Sequence, residues 1–243
     1  MRHWGLHYRG GYPAMPPEYP MPLKTYLQTH FVTKSALAEL CEVSVERLDA
    51  LIAIGAAPQP TYVCGDGLIR SAVFGALPAD TGIEGEYFRP EYVRWIQIAD
   101  SAPFGHEHEA LVNALSAEME AALAEASGDG VSARIKAAEF LPFFFDGTFG
   151  LCVADPSSGA GIAKKELLQE QLVDVTGNGS RVADTDDGNR QLLSLIDAYA
   201  RSSMPFSPAE YPRSSRKRLV DDLRLKVRAA STSRSLPPPT SGM

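Results

Sequence analysis

The sequence predicts a predominantly helical α+β fold, with an N-terminal helix-turn-helix-like segment packed on a mixed body that carries short β-hairpins. Three observations carry this. Apolar residues recur at helical spacing over much of residues 23–228, most regularly as Leu111, Leu115, Met119 and Leu123. Two short capped helical patterns flank Glu42-Val43, the layout of a helix-turn-helix. Short apolar runs flank Gly65-Asp66-Gly67 and Asp146-Gly147, both hairpin signals. The division expected is an arm over 1–22, one globular domain over 23–228 with its helix-turn-helix-like lobe over 23–60, and a Ser/Pro tail over 229–243 without fixed structure.

The elements follow in order. Pro13, Pro16, Pro17, Pro20 and Pro22 keep the arm out of a helix, because proline lacks the N–H and clashes with the preceding turn. Leu23, Tyr26, Leu27 and His30 open the first helix. Thr33 caps a second, and Ser44 caps a third that ends at Gly55. Tyr62-Val63-Cys64 and Leu68-Ile69 read as strands, and 80–89 as a loop. Pro90 suits the first turn of a helix through Tyr92, Val93, Ile96 and Ala99. The stripe of Leu111 to Leu123 runs in a helix from His106 to Ser127, stopped by Gly128. Phe143 to Val153 reads as a hairpin about Asp146-Gly147. Ser157 or Ser158 then caps a helix bearing Ile162, Leu167, Leu168, Leu172 and Val175. Residues 192–199 are helical, 204–212 irregular, and a last helix starts near Ser214 or Ser215.

Charge is divided unevenly. From Arg201 onward there are nine Lys or Arg against three Asp or Glu, although the whole chain carries −7. Such a split suggests a place where an anion is held. On a helical wheel Leu219, Val220, Leu223 and Val227 form one face, with Lys217, Arg224 and Arg228 opposite. Lys217–Asp221, Arg218–Asp222 and Asp222–Lys226 are i, i+4 pairs that absorb most of the charge. Arg216 falls on the apolar face. With Arg213, Ser214 and Ser215 it surrounds the helix start, where sulfate, phosphate or carboxylate is favoured.

Other motifs carry less. His106 and His108 are two apart on a helix and point about 200° from each other, so no shared metal is expected. Gly159-Ala160-Gly161-Ile162-Ala163-Lys164 does not meet the phosphate-loop pattern, and no cofactor is expected. Segment 30–60 holds Lys34 and Arg47 against four acids, which argues against reading DNA. Glu84 and Glu86 share a face if extended, and Glu86 is a candidate general base, as is Asp146 beside the phenylalanines. No apolar run nears the roughly 18 residues of a membrane span. No secretory leader pattern opens the chain, and three scattered cysteines suit a reduced cytoplasm.

Four collinear stretches are similar to a domain family of unknown function in actinobacterial natural-product gene clusters: His30-Phe31-Val32-Thr33, Leu48 to Ile52, Gly147 to Cys152, and Pro205-Phe206-Ser207-Pro208 with Pro212 to Arg216. The resemblance covers about 24–228. It implies secondary metabolism, of the azinomycin type, in which such a protein works with a sulfotransferase-like partner to close an aziridine ring with loss of sulfate. An arginine-lined anion site suits a leaving sulfate, with Glu86 or Asp146 as the base for the attacking amine. The alternatives are a non-catalytic protein that holds a partner enzyme, and a helix-turn-helix DNA-binding regulator.

Overall fold

The computed structural model describes residues 21–79 and 82–235. The proline-rich arm before Met21 and the chain beyond Ser235 lie outside them. The architecture is predominantly helical α+β, as the periodicity predicts. Helix α1 (Leu23–His30) leads through β1 (Val32–Thr33) into α2 (Lys34–Leu40) and α3 (Val45–Ala53). Thr33 Oγ1 accepts from Ala36 N and Ser44 Oγ from Arg47 N, so both predicted caps form. Leu37, Leu48 and Leu51 bury the inner faces of this helix pair.

A five-stranded antiparallel sheet follows, in the order β1-β5-β2-β3-β4. Its members are β2 (Tyr62–Gly65), β3 (Leu68–Ser71), β4 (Gly75–Pro78) and β5 (Gly85–Phe88). Asp66 (φ 55°) and Gly67 (φ 69°) turn between β2 and β3, both left-handed, as a two-residue hairpin demands. The expectation of a loop over 80–89 fails at β5. Two glycines and three acids suggest a turn, but Tyr87 and Phe88 pair with Tyr62, Thr33 and Val32, and tertiary pairing outweighs local propensity.

The helical body comprises α4 (Val93–Asp100), α5 (Glu107–Ser127), α6 (Gly130–Phe145), α7 (Thr148–Cys152), α8 (Gly159–Thr176), α9 (Asp186–Ser202) and α10 (Leu223–Ser235). Helix α5 buries Leu111, Leu115, Met119 and Leu123 against α6 and α8, and Gly128 ends it in a left-handed cap. The expected hairpin at Asp146-Gly147 is instead a helical corner. Phe140 and Phe144 lie on one buried stripe of α6, and Asp146 caps α7 by accepting from Thr148 N. Pro142 sits inside α6 with its side chain exposed, so water can replace the hydrogen bond it forgoes. Helix α6 escapes the sequence reading because proline and a phenylalanine run before Asp-Gly obscure its period.

The last helix departs from α geometry. Residues Lys217–Asp222 form a π-turn before α10. More residues per turn bring i and i+5 together, and Lys217 Nζ donates to both oxygens of Asp222, at 2.8 and 2.7 Å. The three expected i, i+4 pairs are therefore replaced: Tyr211 donates to Asp221 and Lys226 to Gly179 O. The same helix continues to Ser235, past the expected start of the tail at 229. Two core clusters result. The larger spans α1 through the first half of α8 and takes in Met204, Phe206 and Tyr211, and the smaller joins Leu172, Leu192, Ile196, Tyr199, Leu219, Val220, Leu223 and Val227.

Candidate functional site

Polar groups concentrate on the seam where α7, α8 and α9 meet the segment before the last helix. Gly150 of α7 lies so close to the sheet side that an added Cβ would stand 2.1 Å from Thr61 Oγ1 and 2.6 Å from Tyr92 Oη. This close approach accounts for glycine in the Gly147–Cys152 motif. The buried Arg89 closes the carboxyl end of α7. Its guanidinium donates to Gly150 O (3.2 Å), Val153 O (3.0 Å) and Ala154 O (2.9 Å), and pairs with Glu91 at 2.7 Å. Beyond it, Val153 bridges Ser203, Met204 N donates to Cys152 O, and Ala154 N donates to Ser202 O. The exit of α7 is thus sewn to the exit of α9.

Arg216 points inward, as its wheel angle predicts, but toward carbonyls. Nη1 donates to Ala200 O (2.9 Å), Ser203 O (3.1 Å) and Ser203 Oγ (3.0 Å). It caps the carboxyl end of α9, whose partial negative charge attracts a cation. Ser214 Oγ accepts from Lys217 N and donates to Tyr211 O. Ser215 Oγ lies 2.9 Å from Tyr199 Oη. Arg213 is exposed and stacks over Phe74, 5.6 Å from the ring centroid. The four residues share one helix start, yet Ser214, Ser215 and Arg216 spend their polar atoms inside the protein.

Under this seam lies a buried cluster that the sequence reading missed. Lys165 is wholly buried, with Nζ 2.7 Å from Glu166 Oε1 and 3.4 Å from Cys152 Sγ. Tyr199 Oη lies 2.9 Å from Gln169 Oε1 and reaches Ser215. Burial pushes the Cys152 thiol up to about 11, so it keeps its proton at neutral pH. Burial also works against the charge on Lys165, yet its pKa is raised, with Cys152, Glu166 and Tyr199 all placed to favour the ammonium. The signal was present in the sequence: Ile162, Lys165, Gln169, Leu172 and Thr176 keep one helical stripe, and that stripe, rather than Leu167, Leu168 and Val175, is the buried face of α8.

A second buried acid joins the sheet to the segment after α9. Glu210 accepts from Tyr62 Oη (2.6 Å), Ser71 Oγ (2.6 Å) and Ser207 Oγ (2.8 Å), and Tyr62 Oη lies 3.3 Å from Tyr26 Oη. Burial raises the Glu210 carboxyl above its ordinary value despite these three donors.

Beside the seam opens a cleft of about 200 Å³ lined by Asp155, Gly161, Lys164, Arg201 and Ser202. Lys164 and Arg201 are exposed there, and neither has an ion pair among the described residues. Asp155 Oδ1 accepts from Ser157 N. The candidate bases lie elsewhere. Glu86, on β5, pairs with Lys34, and Asp146 faces the α7 start. Neither shares a hydrogen bond with Arg213 to Arg216. The histidines diverge too, His106 toward Glu109 and His108 to Gly55 O. In the helix-turn-helix-like lobe Lys34 pairs with Asp49 and Glu86, and Arg47 with Asp100 and Glu107.

Fold and site define a helix-dominated α+β protein whose polar residues are gathered on an internal seam beside a small basic cleft. The chain belongs to a family of unknown function, DUF6058, whose model matches residues 97–228. Cys152, Lys165, Tyr199, Glu210 and Arg216 all fall within the match. No curated protein and no solved structure matches the chain. No helix among the described residues is long and apolar enough to cross a membrane.

Proposed function

We propose that this protein acts in natural-product biosynthesis, as an enzyme or enzyme subunit that closes a small ring with loss of an anionic leaving group such as sulfate. A sulfotransferase-like partner supplies the sulfated intermediate, in the manner of azinomycin-type aziridine formation. The reading rests on the resemblance of the four collinear stretches to proteins of actinobacterial gene clusters. The observation that carries it in the fold is the cleft, which Lys164 and Arg201 both line with no ion pair among the described residues. In this reaction the amine nitrogen attacks the carbon that bears sulfate. The N–C bond forms, the C–O bond breaks, and sulfate leaves with the electron pair. Two cations beside the departing sulfate stabilise its growing charge.

The base takes the proton lost by the amine. Asp155 lines the cleft and is the carboxylate we assign to this task. Glu86 and Asp146, the candidates by sequence, are not among the residues that line the cleft. Arg216 is a positioning residue here, since it holds the α9 exit that carries Arg201 and Ser202. The test is a reconstituted reaction with the partner enzyme, followed by sulfate release. Lys164→Ala with Arg201→Ala is expected to lower turnover by about 10²-fold, the usual scale for losing oxyanion-type donors, with the helical circular dichroism unchanged. Full turnover in that double variant sinks the reading.

One observation favours a second reading, a partner-holding subunit without chemistry of its own. Val131 and Ile135 stand one turn apart on the outer face of α6, 73% and 58% exposed. Val131→Asp with Ile135→Asp then abolishes retention of the partner at modest salt, while the cleft variants retain it.

A further inference from the structure

We propose that Cys152 and Lys165 are a covalent modification site, at which an oxidant joins Sγ and Nζ through one oxygen atom. The geometry is specific to this cysteine. Sγ and Nζ are already in contact at 3.4 Å, between α7 and α8, and both side chains are buried. Cys41 and Cys64 are also free and buried, but among the described residues neither has a hydrogen-bonded amine. Glu166 Oε1, 2.7 Å from Nζ, is in place to take the ammonium proton; because the cluster favours the ammonium, the nucleophilic amine forms only in a small fraction, and the step that uses it is slow.

The chemistry balances with hydrogen peroxide as oxidant. The thiol sulfur first attacks one peroxide. An S–O bond forms, the O–O bond breaks, and water leaves a sulfenic acid. The Lys165 amine and a second peroxide then complete an S–O–N bridge, with loss of two more waters. Overall the thiol and the amine each lose one hydrogen, one oxygen is inserted, and two peroxides are reduced to three waters. Burial directs the outcome. A sulfenic acid at the surface condenses with an external thiol, whereas one enclosed between α7 and α8 meets the Lys165 amine first. Because the thiol keeps its proton at neutral pH, the first step is slow, and the bridge accumulates under sustained rather than brief exposure.

The experiment is peptide mapping of the full native chain after incubation with hydrogen peroxide, digested without reductant. The expected product is a cross-linked pair of peptides containing Cys152 and Lys165, heavier than their sum by one oxygen and lighter by two hydrogens. Dithiothreitol restores the two separate peptides. Cys152→Ala and Lys165→Arg, where they fold, lack the product, and the wild-type map decides the question without them. Conversion of Cys152 to sulfinic or sulfonic acid with an intact Lys165 peptide overturns the proposal. So does a Cys152 that stays reduced while the whole chain remains folded in peroxide.

Discussion

At the scale of single residues, Glu210 carries the clearest consequence. Its carboxylate receives three hydroxyl donors in a site closed to water, and burial still raises its pKa in the folded state. A raised folded value means that the native chain holds this proton more tightly than the unfolded chain does. Its contribution to stability is therefore full below the ordinary glutamate value of 4.5 and is lost as pH rises through the folded value. Glu210→Gln keeps the shape and removes the titration, so its unfolding free energy is expected to be flatter over that window. Urea unfolding across pH measures this, and an unchanged slope contradicts it. Glu210→Ala takes the shared acceptor from three hydroxyls and is expected to cost about 2–4 kcal/mol. Gly150→Ala is a separate case: its Cβ must displace buried hydroxyls, at an expected cost of about 1–3 kcal/mol by overpacking. The need for glycine at position 150 was not readable from the chain, because it depends on Thr61 and Tyr92, far away in sequence.

Among elements, α9 and the last helix explain each other. Arg216 caps the carboxyl end of α9 with three hydrogen bonds from one nitrogen, Nη1. Arg216→Ala is expected to destabilise by about 1–3 kcal/mol, and Arg216→Lys to recover part, since an ammonium also brings donors and positive charge to the helix end. Denaturant midpoints of the three proteins decide it, and a neutral alanine variant rules out the capping role. The inward aim of Arg216 was legible from the wheel, because it depends only on helix period. Its acceptors were not, because carbonyls at the end of another helix leave no mark in composition. The ion pairs of the last helix were misjudged for a related reason. The i, i+4 rule holds for α geometry, and the π-turn at Lys217–Asp222 arises from docking against neighbours rather than from local propensity.

For the whole molecule, the two core clusters set a hierarchy of stability. The smaller one rests on eight buried side chains from α8, α9 and the last helix, and its neighbours share α8 with the larger core. Leu223→Ala, which empties a fully buried position there, is expected to cost about 2–5 kcal/mol. Native-state hydrogen exchange then accelerates in α9 and the last helix well before α5; uniform acceleration means that the chain opens as one unit. Fold class and most helices were legible because a stripe as regular as Leu111 to Leu123 is buried as the period predicts, and Leu219, Val220, Leu223 and Val227 stay buried together even across the π-turn. The polar seam was not, because Lys165 and Glu210 look solvated until the partners that bury them are known.

Those partners are also far apart in time. Tyr62 and Glu210 are separated by 148 residues, so a chain leaving the ribosome exposes the tyrosine long before its acceptor is made. Tyr26 likewise waits 179 residues for the carbonyl of Pro205. Until then the carbonyl of Pro205 and the carboxylate of Glu210 are missing from around the hydroxyls of Tyr26 and Tyr62, and burying that pair away from water is less favourable. The late segment therefore acts as a clasp: the front of the molecule can collapse early, but it locks only when the stretch 205–216 arrives.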